Sequence, residues 1–569
     1  MHRYVLAFAL ATGMLLFTAG IPAAPKIQPL PGTPGSGLPV ELRRIMDESR
    51  EVAFPPIHPD LESTINSFVQ LGLDKAEHIR VLEVLRQTRG RHGDPAALMR
   101  AFETADLDAL LTHEQIAGEI RFLFALMRHG YDGYLYFGGD SVFLPIRDAM
   151  LERLSDMPDP LPVSSYLNDI IEPALRGVIA DNHFRIHSTT FRAPAYVPYM
   201  NGEFTLRRDG NAFVTVINGD AHRVLEVAPA EPLIGRQSPG NAGRAKVPSS
   251  GILPTLTADG EPAWAFGLVA AETLRGSMEI GVLFENIASG EKYSRALSLH
   301  RLAPVSPRPR YPEFALREMG GIAVLENRSL MNFSPSKEEA FLRSARELRD
   351  RPVLVMDLRG HAGGNIRHPG SWLGMFTGQG EPSPSLLFAG SNLQRSQVAL
   401  ELLNFFVPLH LSVSDSIRAL LMEIEPRFVM LEDPGAPLPE SLRWRFTTSV
   451  PWIPPRVPIP NENLVIVLTD KNTGSAGDLF VGYLRQLENV LVVGTNTAGT
   501  FLTGGVGRTI LPHSGLALVL GTRLNLRHDL SQFEGLGFMP DLWVPPGESL
   551  ERVLRFVERY GLASCPLVR

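Results

Sequence analysis

The chain has 569 residues, 44% of them hydrophobic and 20% charged, with a net charge of −7. That balance excludes a disordered or fibrous chain, and without a lysine/arginine block it argues against a nucleic-acid partner. A single cysteine, Cys565, excludes an intrachain disulfide, so the fold is held by its cores alone.

In chain order, His2 and Arg3 precede an apolar run from Val5 to about Ala19, with Pro22, Ala23 and Ala24 beyond it. The pattern predicts a secretory signal over residues 1–24 and a mature chain in a bacterial periplasm or outside the cell. The run is short for a bilayer span and no later stretch is long enough, so no stable membrane span is expected after signal removal. Residues 25–40 are rich in Pro and Gly and read as a linker.

From 41 to 183 apolar residues recur at helical spacing, which predicts a helical N-terminal domain. Ile65, Phe68 and Val69 share one face, as do Ile79, Leu82 and Leu85, with Asp60 as an N-cap. Leu123, Leu126 and Met127, then Met150, Leu151 and Leu154, continue the pattern. From 184 to 305 the texture becomes β-rich, with turn signals at Asp209-Gly210 and Asn218-Gly219-Asp220.

From 310 to 560 strands alternate with helices, an α/β layer arrangement. "GGIAVLEN" is a strand. "SKEEAFLRSARELRD" is a helix, with Ser336 as cap and Glu339 at capping-box spacing. "PVLVMDLRG", "LVIVLTD" and "VLVVGTN" are apolar throughout, as strands covered on both faces are. "AGDLFVGYLRQLE" is a helix that places Leu479, Tyr483 and Leu487 on one face. An insertion over 366–460 holds two helical patterns and is expected to form a lid or an interaction surface.

Two turns carry chemistry. In "TDKNTGSAGDLF" a buried strand leads through a tight turn to Ser475 and then to a helix. The first-turn N–H groups of such a helix are unpaired and point toward the serine oxygen or an oxyanion beside it. In "VMDLRGHAGGN" a strand runs into Gly363 and Gly364, a pair that permits a turn with outward-facing amides.

These stretches resemble the S41 serine peptidases, the tail-specific or C-terminal-processing proteases, and more closely their tricorn-like branch. Four landmarks stand in that family's order: "ADNHFRI" at 180–186, "DLRGHAGG" at 357–364, "TGSAGD" at 473–478 and "EGLGFMPDLWV" at 534–544. The resemblance implies an α/β catalytic core of crotonase- or ClpP-like type and an exported serine-type peptidase acting on protein or peptide substrates. It implies Ser475 as nucleophile, Glu534 as supporting carboxylate, and Ala476 with Gly363 or Gly364 as oxyanion donors. It calls for no cofactor and no metal.

The general base departs from the family pattern. The processing-protease lysine falls at Thr500, the tricorn-like histidine falls at or near Glu326, and the family's Asn in the diglycine motif is His361. Three residues could replace the base, His361, His528 and Lys471; Lys471 is expected to face solvent, and the choice stays open between His361 and His528. His183 and His187 read as structural histidines. The alternative to a peptidase is a catalytically inactive S41-like binding or scaffold protein.

Overall fold

The computed structural model describes residues 38–53, 58–61, 63–64, 74–91, 95–229, 251–272, 276–305, 313–331, 334–378, 392–394, 397–403, 405, 445–447, 458–527, 529–531 and 533–563. The signal segment, Ile65, Phe68, Val69, His528, Cys565 and most of the insertion fall outside them.

Helices α1 (Val40–Ala53), α2 (Lys75–Arg91), α3 (Pro95–Glu103), α4 (His113–Gly130) and α5 (Asp140–Ser155) come first. In α4, Thr112 and Gln115 cap each other's backbone, and Ile116, Ile120, Leu123 and Met127 line the buried side. On α2 the buried side holds Val81, Leu82 and Leu85, whereas Ile79 is exposed. The core of this region also takes in Val398 and Leu402 from the insertion and residues from Ile510 to Leu520. The N-terminal helices therefore pack against the far end of the chain.

Short strands β1 (Arg185–Ile186) and β2 (Thr189–Thr190) follow. Next come β3 (Tyr196–Met200), β4 (Arg207–Asp209), β5 (Ala212–Ile217), β6 (Asp220–Pro229), β7 (Ile252–Leu256), β8 (Pro262–Ala271), β9 (Ser277–Asn286) and β10 (Lys292–Arg301). These last eight form one antiparallel sheet in the order β4-β5-β6-β9-β10-β3-β8-β7. Asn218 and Gly219 join β5 to β6 with φ of 54° and 92°, the two positive values that a type I′ hairpin turn requires.

The α/β part begins with β11 (Phe314–Met319) and β12 (Ile322–Asn327). Helix α6 (Pro335–Leu348) is capped by Ser334, whose Oγ accepts the Lys337 N–H, with Pro335 in the first helical position. The cap thus sits two residues before Ser336, because Pro335 lacks an N–H and fits the first turn.

Strand β13 (Val353–Asp357), helix α7 (Arg367–Thr377) and helix α8 (Gln397–Leu403) lead to β14 (Leu464–Thr469). Helix α9 (Ala476–Leu484), β15 (Val490–Gly494), β16 (Thr503–Ile510), β17 (Ala517–Leu524), β18 (Leu542–Trp543) and α10 (Ser549–Arg559) complete the chain.

The central sheet runs β11-β12-β13-β14-β15-β18, parallel from β12 onward. Its alternating side chains explain the unbroken apolar runs. Val353, Val355, Leu464, Ile466 and Leu468 pack toward the antiparallel sheet and α10. Leu354, Met356, Val465 and Val467 pack toward Phe341, Trp372 and Phe480 of α6, α7 and α9. Both faces are covered, so neither can be polar. A further sheet, β16-β17-β1-β2, joins residues that lie more than 300 positions apart.

Candidate active site

In parallel sheets ligands bind beyond the carboxyl ends of the strands. Here β13, β14 and β15 are adjacent, and the turns leaving their carboxyl ends carry Gly363–Gly364, Ser475 and Thr495–Thr500.

The first two turns are tied together. The Asp470 carboxylate accepts N–H bonds from Gly360, Asn472 and Val305 at 2.8, 3.0 and 2.9 Å. Gly474 N donates to His361 O at 3.0 Å, and Thr473 Oγ1 donates to Leu358 O at 2.8 Å. Beneath them Asp357 is clamped by the guanidinium groups of Arg328 and Arg359, which hold its carboxyl well below the usual range despite burial.

Ser475 is half-buried and sits at the N-cap of α9 with φ 55° and ψ −116°, a conformation that costs a non-glycine residue of order 1–3 kcal/mol. Its N–H donates to Asp478 Oδ2 at 2.8 Å. The buried Asp478 also accepts from Gly499 N at 3.0 Å and Thr500 N at 2.9 Å, so it ties the third turn to the serine. Burial pushes the Asp478 carboxyl up against those donors. The Ala476 N–H, in the first turn of α9, has no acceptor among the described residues.

The diglycine bend faces this serine. Gly363 and Gly364 have φ of 93° and 135°, and a Cβ on Gly363 would stand 2.9 Å from Ser475 Cβ and 3.3 Å from its Oγ. Leu330 N donates to Gly363 O at 2.8 Å and Asn365 N donates to Leu330 O at 3.0 Å. Gly363 N donates to His361 Nδ1 at 3.0 Å. His361 is fully buried, and desolvation pushes its pKa down to about 3. With Nδ1 accepting, its proton lies on Nε2, which has no partner among the described residues. That tautomer has no free lone pair to take a serine proton.

Lys471 does not face solvent. Its Nζ donates to the carbonyls of Thr497, Ala498 and Gly535 at 2.9, 3.3 and 2.8 Å, and burial lowers its pKa to about 8. Three carbonyl partners occupy the three ammonium donors.

Glu534 is buried against the segment after the serine. It accepts the N–H groups of Phe501 and Leu502 at 2.8 and 2.7 Å, and of Asn182 at 2.8 Å. Burial, together with the neighbouring Asp181 charge, raises its pKa. Asn182 Nδ2 reaches Gly499 O at 3.0 Å. The β1–β17 pairing therefore lays the Asp181–His183 turn on the 499–503 segment, beside the serine turn.

His183, read from the sequence as a structural histidine, is half-buried and tied into a polar network. Its Nδ1 lies 3.3 Å from Thr503 Oγ1, and Thr503 Oγ1 donates to Asp181 Oδ1 at 2.9 Å. Asp181 also accepts from Tyr131 OH at 2.9 Å and from His183 N at 2.8 Å. The one Thr503 hydroxyl proton is spent on the carboxylate, so His183 Nδ1 donates and Nε2 keeps a free lone pair. Desolvation lowers the His183 pKa, so the ring is neutral at pH 7. The signal available in the sequence was the motif "ADNHFRI" itself, which lacks any helical metal spacing and contains a carboxylate two residues before a histidine. Among the described residues no cluster of three or more His, Cys, Asp or Glu could hold a metal ion.

A strained serine at a strand–turn–helix junction, facing a diglycine bend, defines the class: an α/β protein with the apparatus of an acyl-transfer site. Residues 322–544 match the model of peptidase family S41. No curated protein matches the sequence. Among solved structures, mature CPAF is 14% identical, with 79% of this chain and 96% of that chain covered and a TM-score of 0.36. The photosystem II D1 C-terminal processing protease is 13% identical over 78% and 96%, with a TM-score of 0.32. The tricorn protease is 11% identical over 79% and 37%, with a TM-score of 0.30.

Proposed function

We propose that the chain is an exported serine peptidase that cleaves protein or peptide substrates through an acyl-enzyme on Ser475, on a core of crotonase- or ClpP-like type. The observation that carries this is the contact of Ser475, held at φ 55°, with the Gly363–Gly364 bend. A positive-φ serine at the N-cap of a helix, in the turn after a buried strand, is strained, and strain of this kind persists where the hydroxyl must be presented at the mouth of a helix.

His183 is the general base of this reading. His361 offers the serine no lone pair, and the Lys471 ammonium is committed to carbonyls. His183 has the required tautomer, a ring linked to the Asp181 carboxylate through the Thr503 hydroxyl, and a place against the segment that flanks the serine turn. Glu534 acts by fixing that segment through Asn182, Phe501 and Leu502.

The reaction then runs in two steps. Ser475 Oγ attacks the peptide carbonyl carbon while its proton passes to the imidazole. The oxyanion is held by Ala476 N–H and Gly364 N–H, because the Gly363 N–H is already spent on His361. The C–N bond breaks, and the imidazole returns the proton to the leaving amine. Water, deprotonated by the same ring, attacks the acyl-enzyme and releases the carboxylate and Ser475.

The test is labelling and hydrolysis. Wild type is expected to react with a fluorophosphonate and to cleave an unstructured protein substrate, and Ser475→Ala is expected to do neither while unfolding cooperatively. Turnover that survives in Ser475→Ala overturns the mechanism. A folded wild type inert to both probes supports the binding-scaffold reading.

A further inference from the structure

We infer that His361 is a positioning residue for the diglycine bend: by accepting the Gly363 N–H it fixes the Ala362–Gly363 peptide, and with it the bend whose next peptide, held at its carbonyl by Leu330, presents the Gly364 N–H to Ser475. The inference rests on the peptidase reading above and adds a residue to it.

The 358–365 segment lies between two neighbours. On one side Ala362 N donates to Arg328 O, Leu330 N donates to Gly363 O, and Asn365 N donates to Leu330 O. Leu330 and Gly364 thus form a parallel bridge in which Leu330 bonds to the residues on either side of Gly364. In such a bridge the N–H and C=O of the flanked residue project to the opposite side. On that opposite side runs the serine turn, since Gly474 N bonds His361 O and a Cβ on Gly363 would stand 2.9 Å from Ser475 Cβ. Gly364 N–H has no acceptor among the described residues.

Two adjacent glycines at positive φ carry no side chains to hold this bend, so something else must define it. The Arg328 and Leu330 backbone bonds define part of it, and the imidazole adds the bond at the Gly363 N–H that they leave open. It reaches the N–H two residues on, and its ring is pressed against α9, where a Cβ on Gly477 would come within 2.7 Å of Nδ1. The ring is wholly buried and leaves Nε2 without a partner among the described residues. A polar ring in that position is costly as mere filler, whereas its Nδ1 makes the one bond that orients the Gly363 amide. The depressed basicity of the ring keeps the acceptor neutral through the range in which proteases work.

Asparagine supplies the conservative variant. Its Oδ1, like Nδ1 of histidine, lies two bonds from Cβ and accepts the N–H two residues on in an Asx turn. Leucine fills similar space without an acceptor. Glutamine carries the same amide one methylene further out.

The experiment measures peptide hydrolysis and crystal structures for wild type, His361→Asn, His361→Leu and His361→Gln. His361→Asn is expected to keep kcat within about threefold of wild type. His361→Leu is expected to lose about 100-fold in kcat with KM little changed, because a misplaced oxyanion donor is felt in the transition state. Its crystal structure is expected to show the Gly363–Gly364 peptides turned away from Ser475. Should His361→Leu fail to fold, His361→Gln takes its place with the same expectation.

His361→Leu, or His361→Gln in its place, with full kcat or with an unchanged bend overturns the inference while leaving the peptidase reading intact. If wild type cleaves no peptide, the peptidase reading falls, and the position of the bend in the variant structures still decides whether His361 holds it.

Discussion

Gly363 and Ser475 stand so close that a methyl group on the glycine would approach the serine Cβ to 2.9 Å and Oγ to 3.3 Å. Gly363→Ala is therefore expected to abolish labelling of Ser475 by a fluorophosphonate. The added carbon occupies the approach to the hydroxyl, and φ of 93° disfavours alanine as well. Labelling at the wild-type rate would show that the bend lies away from the path of the reagent.

The strain at Ser475 makes a second expectation. Glycine tolerates φ of 55°, whereas alanine keeps the penalty. Ser475→Gly should be more stable than Ser475→Ala by about 1 kcal/mol in chemical denaturation, with both variants inactive. Equal stabilities would remove the strain from the account.

Lys471 is a strut. Lys471→Met leaves the inward carbonyls of Thr497 and Ala498 without their donor, while that of Gly535 keeps the Tyr196 N–H. A loss of about 2 kcal/mol or more is expected in equilibrium unfolding. Whatever the variant retains of its fold should retain the wild-type pH profile, since no proton transfer is assigned to this amine.

His183 sets the acid limb of activity. Its pKa is lowered by burial, so kcat/KM should rise with pH through a midpoint below the ordinary 6.5, as the ring loses its proton. His183→Ala should lose activity at every pH. A rate profile flat from pH 4 to 8 would exclude His183 as the base.

Stability has its own pH dependence. His361 titrates near 3 in the fold and near 6.5 when unfolded. Between these values the unfolded chain binds the extra proton, so stability falls as pH falls through this window, by roughly 1.4 kcal/mol per pH unit. His361→Asn removes that term. The stability gap between variant and wild type should shift in favour of the variant on going from pH 6.5 to 4, as read by urea unfolding at each pH.

Much of the α/β layer was legible in the sequence because its signals are local. The runs at 353–357, 464–469 and 490–494 are apolar at every position, and the structure explains this by covering both faces of the sheet. Asn218-Gly219 named its hairpin for an equally local reason, the need for two positive φ values. Ser336 was displaced as a cap by Ser334, because Pro335 competes for the first helical position. Lys471 was misread as solvent-facing, since nothing near it in sequence reveals three carbonyls from residues 497, 498 and 535.

By itself the sequence determined the strand–turn–helix about Ser475, the diglycine turn after "VMDLR" and the order of four family landmarks, all properties of short contiguous segments. Only the tertiary structure decided which polar groups meet. Asn182 reaches Glu534 across 352 positions, and Thr503 reaches His183 across 320. Such pairs are set by how β1 docks on β17, a long-range pairing that leaves no periodicity in the chain. Tautomer and basicity then follow from burial and from hydrogen-bond partners, so the choice between two histidines rests on packing that the residue types alone do not encode.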